Sequence, residues 1–388
     1  MNPLEDALRR TLTGAAGRAP QAPVTLSGAV EARYRRRRNR TRAALAAAAV
    51  VALVGGATFA LKGGTPRAMP ATPPTTKLPP AIEKVWPRAI HDLPARLPDG
   101  RAFYPHQLID ERTLLVTPED DATRPDAVYA YDVETHAARK IADLTVPKRT
   151  VSFPSGFAAG SGRVVWWTAL EGGLGQIWSA PLSGGPAHLV ASRPVDDGGF
   201  DALTVAGDRI VFSLEEGGVF TVPLRGGTVE PVKGGADSHL LAWPWISRPG
   251  RASVEGEPMF GTIRNVETGQ TSTALTRRGE EMVFCGLELC MGRSDRGVGF
   301  VRRRDGSGER PDPCAAARPT GGSDRFCTES VHGTGRSRVG VVLRDRTSGK
   351  SADLGIRNPE EPMPLPEPHL MFYIVQGRMR LVDLTKIP

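Results

Sequence analysis

The residues with the sharpest chemical options in this chain are four cysteines, Cys285, Cys290, Cys314 and Cys327. Thiols can ligate zinc, attack a substrate or pair as disulfides. Zinc sites favour paired Cys-x-x-Cys ligands, often completed by histidine. Here 4, 23 and 12 residues separate successive cysteines, and no histidine lies among them, the next being His332. Two disulfides suit that spacing better than a metal centre. Four cysteines allow three connectivities, and short loops favour Cys285–Cys290 with Cys314–Cys327. In Val-Phe-Cys285-Gly-Leu-Glu-Leu-Cys290-Met the two thiols can face each other across a hairpin.

Other chemistry is thinner. A nucleophile elbow reads Gly-x-Ser-x-Gly, and neither Gly160-Ser-Gly162 nor Leu182-Ser-Gly-Gly185 fits it. No Gly-x-Gly-x-x-Gly precedes a helical stretch, so the abundant glycines read as hairpin turns. The carboxylate neighbours Asp196-Asp197, Glu215-Glu216 and Glu280-Glu281 would point to opposite faces of a strand. They read as turn and surface charges, not as the converging acid pair of a glycosidase. His106, His188 and His239 show no ligand spacing and read as surface or edge residues. Trp166-Trp167 alternates across a strand, with one ring in a core and the other against a neighbouring element; a sugar-stacking platform is the functional alternative. The expectation is a protein without catalytic residues, metal or cofactor.

Charge and hydropathy set the frame for these residues. The 388-residue chain carries a net charge of +8. Residues 1–42 hold ten arginines against Glu5, Asp6 and Glu31, which leaves about +1 for the rest. A basic surface for nucleic acid belongs on a folded domain, whereas this charge adjoins an apolar run, Ala43 to Leu61, with no charged residue. Nineteen helical residues span about 28 Å, near the roughly 30 Å of a bilayer core. Arg33, Arg35, Arg36, Arg37, Arg38, Arg40 and Arg42 crowd its N-terminal side, and only Lys62 and Arg67 follow closely. That asymmetry puts residues 1–42 in the cytoplasm and the rest outside the cell membrane. A cleaved signal peptide is the competing reading, with Thr58-Phe59-Ala60 as its site, but its leading region is much shorter than 42 residues. All four cysteines lie beyond the span, on the oxidising side. Leu4 to Leu12 can form a short amphipathic helix, either a docking site for a cytoplasmic partner or a frayed tail. Residues 62–82, rich in Pro and Thr, read as an extended linker.

From residue 83 onward, short β-branched and aromatic runs alternate with Gly-Gly, Asp-Gly and Ser-Gly turns. Trp178-Ser-Ala-Pro-Leu182-Ser-Gly-Gly185 recurs as Phe220-Thr-Val-Pro-Leu224-Arg-Gly-Gly227, and Thr262-Ile-Arg-Asn-Val266-Glu-Thr-Gly269 follows at the same offset of 42. With Val133, Arg304, Arg346 and Leu384 in the same frame, seven anchors stand 38 to 49 residues apart. A period near 40–45 with about four short strands per unit marks a β-propeller. The fold class is therefore all-β, a propeller over 83–388 of seven blades; six or eight stay open because the last three anchors are degenerate. Each anchor should close the strand before the outer hairpin of a blade. Leu114–Val116, Val164–Trp167, Ile210–Phe212 and Met371–Val375 read as inner strands. After Leu384 too little chain remains for a strand, so Lys84–Leu93 is expected to supply it and close the ring.

Ile177-Trp-Ser-Ala-Pro-Leu-Ser-Gly-Gly185 resembles the repeat of TolB-type and related WD-like propellers over about two blades. The Ser-Pro-Asp-Gly turn of TolB repeats is missing, so that family's lipoprotein partner is not carried over. The basic tail, Ala-rich span, Pro-Thr stalk and Cys-x4-Cys blade together resemble uncharacterised membrane-anchored propellers of high-GC Gram-positive bacteria. That likeness implies a fold and an address. The leading functional reading is a monomeric, non-enzymatic binding or scaffold module for an envelope protein or a cell-wall glycan. Two alternatives are a sensor with an anti-sigma-like tail and a hydrolase or lyase acting on cell-wall sugars.

Overall fold

The computed structural model describes residues 77–118, 125–196, 199–248, 260–315, 324–333, 338–357, 363–367 and 369–388. The arginine set Arg33 to Arg42, the apolar run 43–61 and most of the linker lie outside the described residues. Among those described, no helix is long and apolar enough to cross a membrane.

The sequence from residue 90 onward folds as seven antiparallel sheets in chain order. Blade one holds β2 (Phe103–Leu108), β3 (Thr113–Pro118), β4 (Ala127–Asp132) and β5 (Ala138–Asp143). Blade two holds β6 (Thr150–Gly160), β7 (Arg163–Leu170), β8 (Leu174–Pro181) and β9 (His188–Pro194). Blade three holds β10 (Phe200–Ala206), β11 (Arg209–Leu214), β12 (Val219–Pro223) and β13 (Glu230–Pro231). Blade four holds β14 (His239–Ala242), β15 (Trp245–Arg248), β16 (Thr262–Asn265) and β17 (Thr271–Thr273). Blade five holds β18 (Glu281–Cys285), β19 (Leu289–Arg293), β20 (Gly299–Arg303) and β21 (Arg310–Pro311). Blade six holds β22 (Phe326–His332), β23 (Arg338–Asp345) and β24 (Ser351–Asp353). Blade seven holds β25 (Leu365–Glu367), β26 (Leu370–Val375) and β27 (Arg378–Asp383), and takes its fourth strand from β1 (Ile90–Pro94).

All seven anchors fall one residue past the third strand of a blade. Each donates its backbone N–H to the carbonyl just ahead of the second strand. Val133 bonds Arg112, Leu182 bonds Gly162, Leu224 bonds Asp208 and Val266 bonds Pro244. Arg304 bonds Glu288, Arg346 bonds Arg325 and Leu384 bonds His369, the seven distances running from 2.7 to 3.1 Å. The sequence chooses the next turn locally. Asp132, Asn265 and Asp345 precede three of the anchors and accept from N–H groups two residues on, which nucleates an Asx turn. Gly269 and Gly349 close two of these turns at φ 75° and 72°, a region glycine enters without steric cost.

Register in blade six shows that β22 and β23 are its second and third strands, so no first strand is present among the described residues. On its outer side, Ala81 bridges Asp353 in parallel and Pro80 accepts from the Asp353 N–H. The C-terminal end of the linker, residues 77–82, thus lies along blade six, and Ile82 is fully buried. The runs read as inner strands, Leu114–Val116, Val164–Trp167, Ile210–Phe212 and Met371–Val375, are second strands instead. A second strand is flanked within its own sheet and covered on both faces by neighbouring blades, so it carries the longest apolar run.

Neighbouring blades meet through alternating side chains. In β3, Leu114 and Val116 pack with Leu370, Phe372 and Leu381 of blade seven, whereas Leu115 packs with Val164 and Trp166 of blade two. The expected segment closes the ring, but only its end is strand: Ile82–Val85 form a helical turn and Pro87–Ala89 a 3-10 turn ahead of β1. β1 pairs antiparallel with β27 from Ile90↔Val382 to Pro94↔Arg378, and Leu93 is fully buried in the junction of blades seven and one. Leu93→Ala should lower unfolding stability by about 2–5 kcal/mol, measured by urea denaturation. Val146→Ala, at a side chain 40% exposed, should stay within about 0.5 kcal/mol.

Candidate functional site

The first strands of blades one to five are each interrupted by a register shift against the second strand. A bulge adds one unpaired residue and re-aims its side chain. In β2 that residue is His106, between Pro105↔Val116 and Gln107↔Leu115. Its ring centroid lies 5.2 Å from that of Tyr104 and 4.5 Å from that of Phe157 of blade two. Its Nε2 is 2.9 Å from Thr117 Oγ1. Burial among these groups holds the imidazole down to about 3, so it stays neutral. Tyr104 Oη donates to Glu367 Oε1 across to blade seven at 2.8 Å. Gln107 exchanges hydrogen bonds with the Ala159 backbone of blade two.

In β10 the bulged residue is Asp201. One of its oxygens, Oδ2, accepts from Ser213 Oγ at 3.0 Å and lies 3.0 Å from His239 Nδ1 of blade four. Serine, histidine and aspartate invite comparison with a hydrolase triad, but there the imidazole stands between the other two. Here the carboxylate is central, which suits joining two blades and not proton transfer from serine to histidine. His239, read from sequence as a surface or edge residue, is buried at 8% exposure because Asp201 offers it a partner inside the ring. His188 is half-buried and its Nδ1 accepts from Arg163 Nη2 at 2.9 Å.

A second polar concentration lies in blades four to six. The anchor residue packs on the preceding blade, and five anchors are apolar. Arg304 and Arg346 take the other two places, 5% and 2% exposed. The Arg304 guanidinium is lined by carbonyls of Phe260, Gly261, Ser272 and Gly286. Burial pulls it down to about 10, still cationic at neutral pH. Arg346 donates through Nε to Asp312 Oδ2 at 2.8 Å and through its Nη groups to carbonyls of Phe326 and Cys314. Arg302, fully buried, donates to Glu280 at 2.6 and 2.7 Å and to Glu309 at 3.0 Å. The hydrogen bond from Arg302 holds Glu280 below its ordinary value. Glu280, read as a surface charge, is therefore part of a buried cluster, while Glu215, Glu216 and Glu281 are exposed.

The four cysteines form Cys285–Cys290 and Cys314–Cys327. The first closes a hairpin in which the two residues are direct register partners; the second joins the exit of blade five to β22. Asp312 lies close enough to Cys314 and Cys327 for the three to share a cation. Both sulfurs are spent in the bridge, however, and the carboxylate serves Arg346 and the Cys314 N–H. Trp166 is fully buried against blade one and Trp167 packs toward Phe200 of blade three, so neither ring is a sugar platform.

The exposed large apolar residues have a pattern that the sequence did not show. Of the ten found among the described residues, seven sit at one end of the ring: Val146, Val151, Leu174, Val298, Met363, Leu365 and Ile374. They occupy the approaches to and starts of first strands, or the hairpins joining second to third strands, which antiparallel pairing places at the same end.

These sheets define the class: a seven-bladed β-propeller closed by its own N-terminal strand. No family model and no curated protein matches the chain. Among solved structures it is similar to YCF48 bound to a D1 peptide, at 12% identity over 79% of this chain and 97% of that one, with a TM-score of 0.45. It is also similar to BamB from Moraxella catarrhalis, at 9% identity over 73% and 86%, TM-score 0.38. TolB from Acinetobacter baumannii shares 16% identity over 59% and 65%, TM-score 0.35. Likeness at this level carries no functional argument.

Arg346→Ala strands the buried Asp312 carboxylate and should cost about 3–5 kcal/mol by urea unfolding. Arg346→Leu combined with Asp312→Asn should cost less. His106 gives a pH test. The unfolded chain protonates it near 6.5, whereas the folded state keeps it neutral down to about 3. Its contribution is intact above 6.5 and is lost as pH falls from there toward 3. Melting temperature measured across that interval should fall less steeply for His106→Gln than for the parent.

Proposed function

We propose that this chain is a membrane-anchored, extracytoplasmic propeller that acts as a non-enzymatic binding module for an envelope protein. Its carrying observation is that seven of the ten exposed large apolar side chains among the described residues lie at one end of the ring, on blades two, five and seven. All of them are aliphatic or methionine. Protein interfaces bury apolar side chains within a polar rim, and none of these seven is an aromatic ring on which a sugar could stack. The channel groups favour the same reading, since His106, Asp201 and Gln107 are each bonded to neighbouring side chains or backbone. Residues 43–61 would hold the ring to the membrane, the arginines of residues 1–42 would fix its orientation, and the linker would display it.

The test is crosslinking and affinity capture of the full-length protein in its native membrane. The parent should return a defined envelope protein. Val151→Asp with Val298→Asp, both at exposed positions, should reduce that capture about tenfold or more while leaving the melting temperature unchanged. Capture of a cell-wall glycan, or undiminished protein capture by the double variant, would refute this reading. Protease added outside intact cells should remove the ring; protection there would reverse the proposed topology.

A further inference from the structure

Six of the seven blade junctions contain an apolar cluster. Leu381 and Phe372 meet Phe103 and Leu114 between blades seven and one, and Val128 and Ile141 meet Trp166 between one and two. Ile177 meets Phe212 between two and three, and Val211 meets Leu240 and Ile246 between three and four. Ile263 meets Phe284 and Met291 between four and five, and Leu343 meets Met371 and Tyr373 between six and seven. Between blades five and six no such cluster forms among the described residues.

Three other features stand at that junction. Cys314, leaving blade five, is bridged to Cys327 of β22, and both are buried. Arg346 of blade six is bonded to Asp312 and to the Cys314 carbonyl, both beyond β21. Register places Cys327, Glu329, Val331, Val342 and Arg344 on one face of blade six, the face turned toward blade five. The last four of these residues, with Lys77 and Leu78, line a cleft of about 640 Å³. The opposite face of the same sheet packs against blade seven. Blade six is packed by an apolar cluster on one side and joined on the other by a disulfide, one buried ion pair and hydrogen bonds from the Glu288 and Leu289 N–H groups to Asp324 and from Arg310 to the Arg346 carbonyl.

The geometry points to a redox-controlled seam: with Cys314–Cys327 oxidised the ring is closed, and on reduction the junction of blades five and six opens ahead of every other. The reductant is a dithiol. One thiolate attacks the bridge to give a mixed disulfide, the second displaces the remaining protein sulfur, and the dithiol leaves as a cyclic disulfide. Two electrons and two protons pass to Cys314 and Cys327. The junction then retains polar contacts alone: Arg346 with Asp312, two desolvated charges whose mutual attraction offsets their burial only while the geometry is held, Asp324 Oδ2 accepting from the Glu288 and Leu289 N–H groups of blade five at 2.8 and 2.7 Å, and Arg310 donating to the Arg346 carbonyl. The other junctions keep apolar area that needs no covalent link. Cys285–Cys290 is the internal control, because it bridges adjacent strands of one blade.

Hydrogen exchange read by mass spectrometry on the full chain in detergent, with and without excess dithiothreitol, tests this seam. After reduction, amides of residues 310–315 and of β22 should exchange about tenfold or more faster, with blades one to three unchanged. Cys314→Ser with Cys327→Ser should reproduce that pattern without reductant, and Cys285→Ser with Cys290→Ser should leave the seam protected. If the double variant at the seam does not fold, the reduced parent carries the comparison alone. A seam that stays protected under reductant, uniform loosening of the whole ring, or the same opening in the Cys285→Ser, Cys290→Ser protein would each overturn the proposal.

Discussion

A four-stranded sheet with apolar side chains on both faces cannot bury them by itself, and this structure follows from how each face is covered. Alternation along a strand sends successive residues to opposite faces. In blade two, Trp166 goes to blade one and Trp167 toward blade three. Every blade is thus half of two interfaces, and only a closed ring leaves none uncovered. The anchor residue sets the spacing. Its N–H ties the end of the third strand to the start of the second, while its side chain lies against the blade before.

Closing a ring from a linear chain leaves two ends to satisfy. The fourth strand of blade seven comes from residues 90–94, so the N- and C-terminal parts of the propeller share one sheet. This removes an open edge that would otherwise template association. Just upstream, Pro80 and Ala81 hydrogen-bond along β24. The segment 80–94 is therefore woven into two adjacent blades, six and seven.

The interfaces are not chemically uniform. Around blades seven, one, two and three, they are rich in Trp, Phe, Tyr, Leu and Ile. In blades four to six, Arg302, Arg304 and Arg346 enter the interior with Glu280, Asp312 and backbone carbonyls as partners. Buried ion pairs contribute less net stability than apolar packing of the same volume. Both disulfides occur in this same sector. Both covalent links thus lie beside the buried ion pairs of Arg302 and Arg346.

Residue spacing alone determined the repeat, the seven anchors, the strand that closes the ring and the favoured cysteine pairs. These are local or periodic features: a turn of the form Asn-Val-Glu-Thr-Gly carries its own hydrogen bonds wherever it lies. The same register placed Arg304 and Arg346 where other blades have leucine or valine, but their burial at 5% and 2% exposure appears only once the blades are packed together. Tertiary structure decided what spacing cannot encode. His106 and Asp201 acquire their environments from bulges, since one extra residue in an inner strand redirects a side chain toward a blade far away in sequence. The apolar end of the ring is assembled from residues between Val146 and Ile374, brought together only because antiparallel strands return their hairpins to the same side. Likewise, the absence of an apolar cluster between blades five and six among the described residues is a property of two faces meeting, and neither strand pattern contains it by itself.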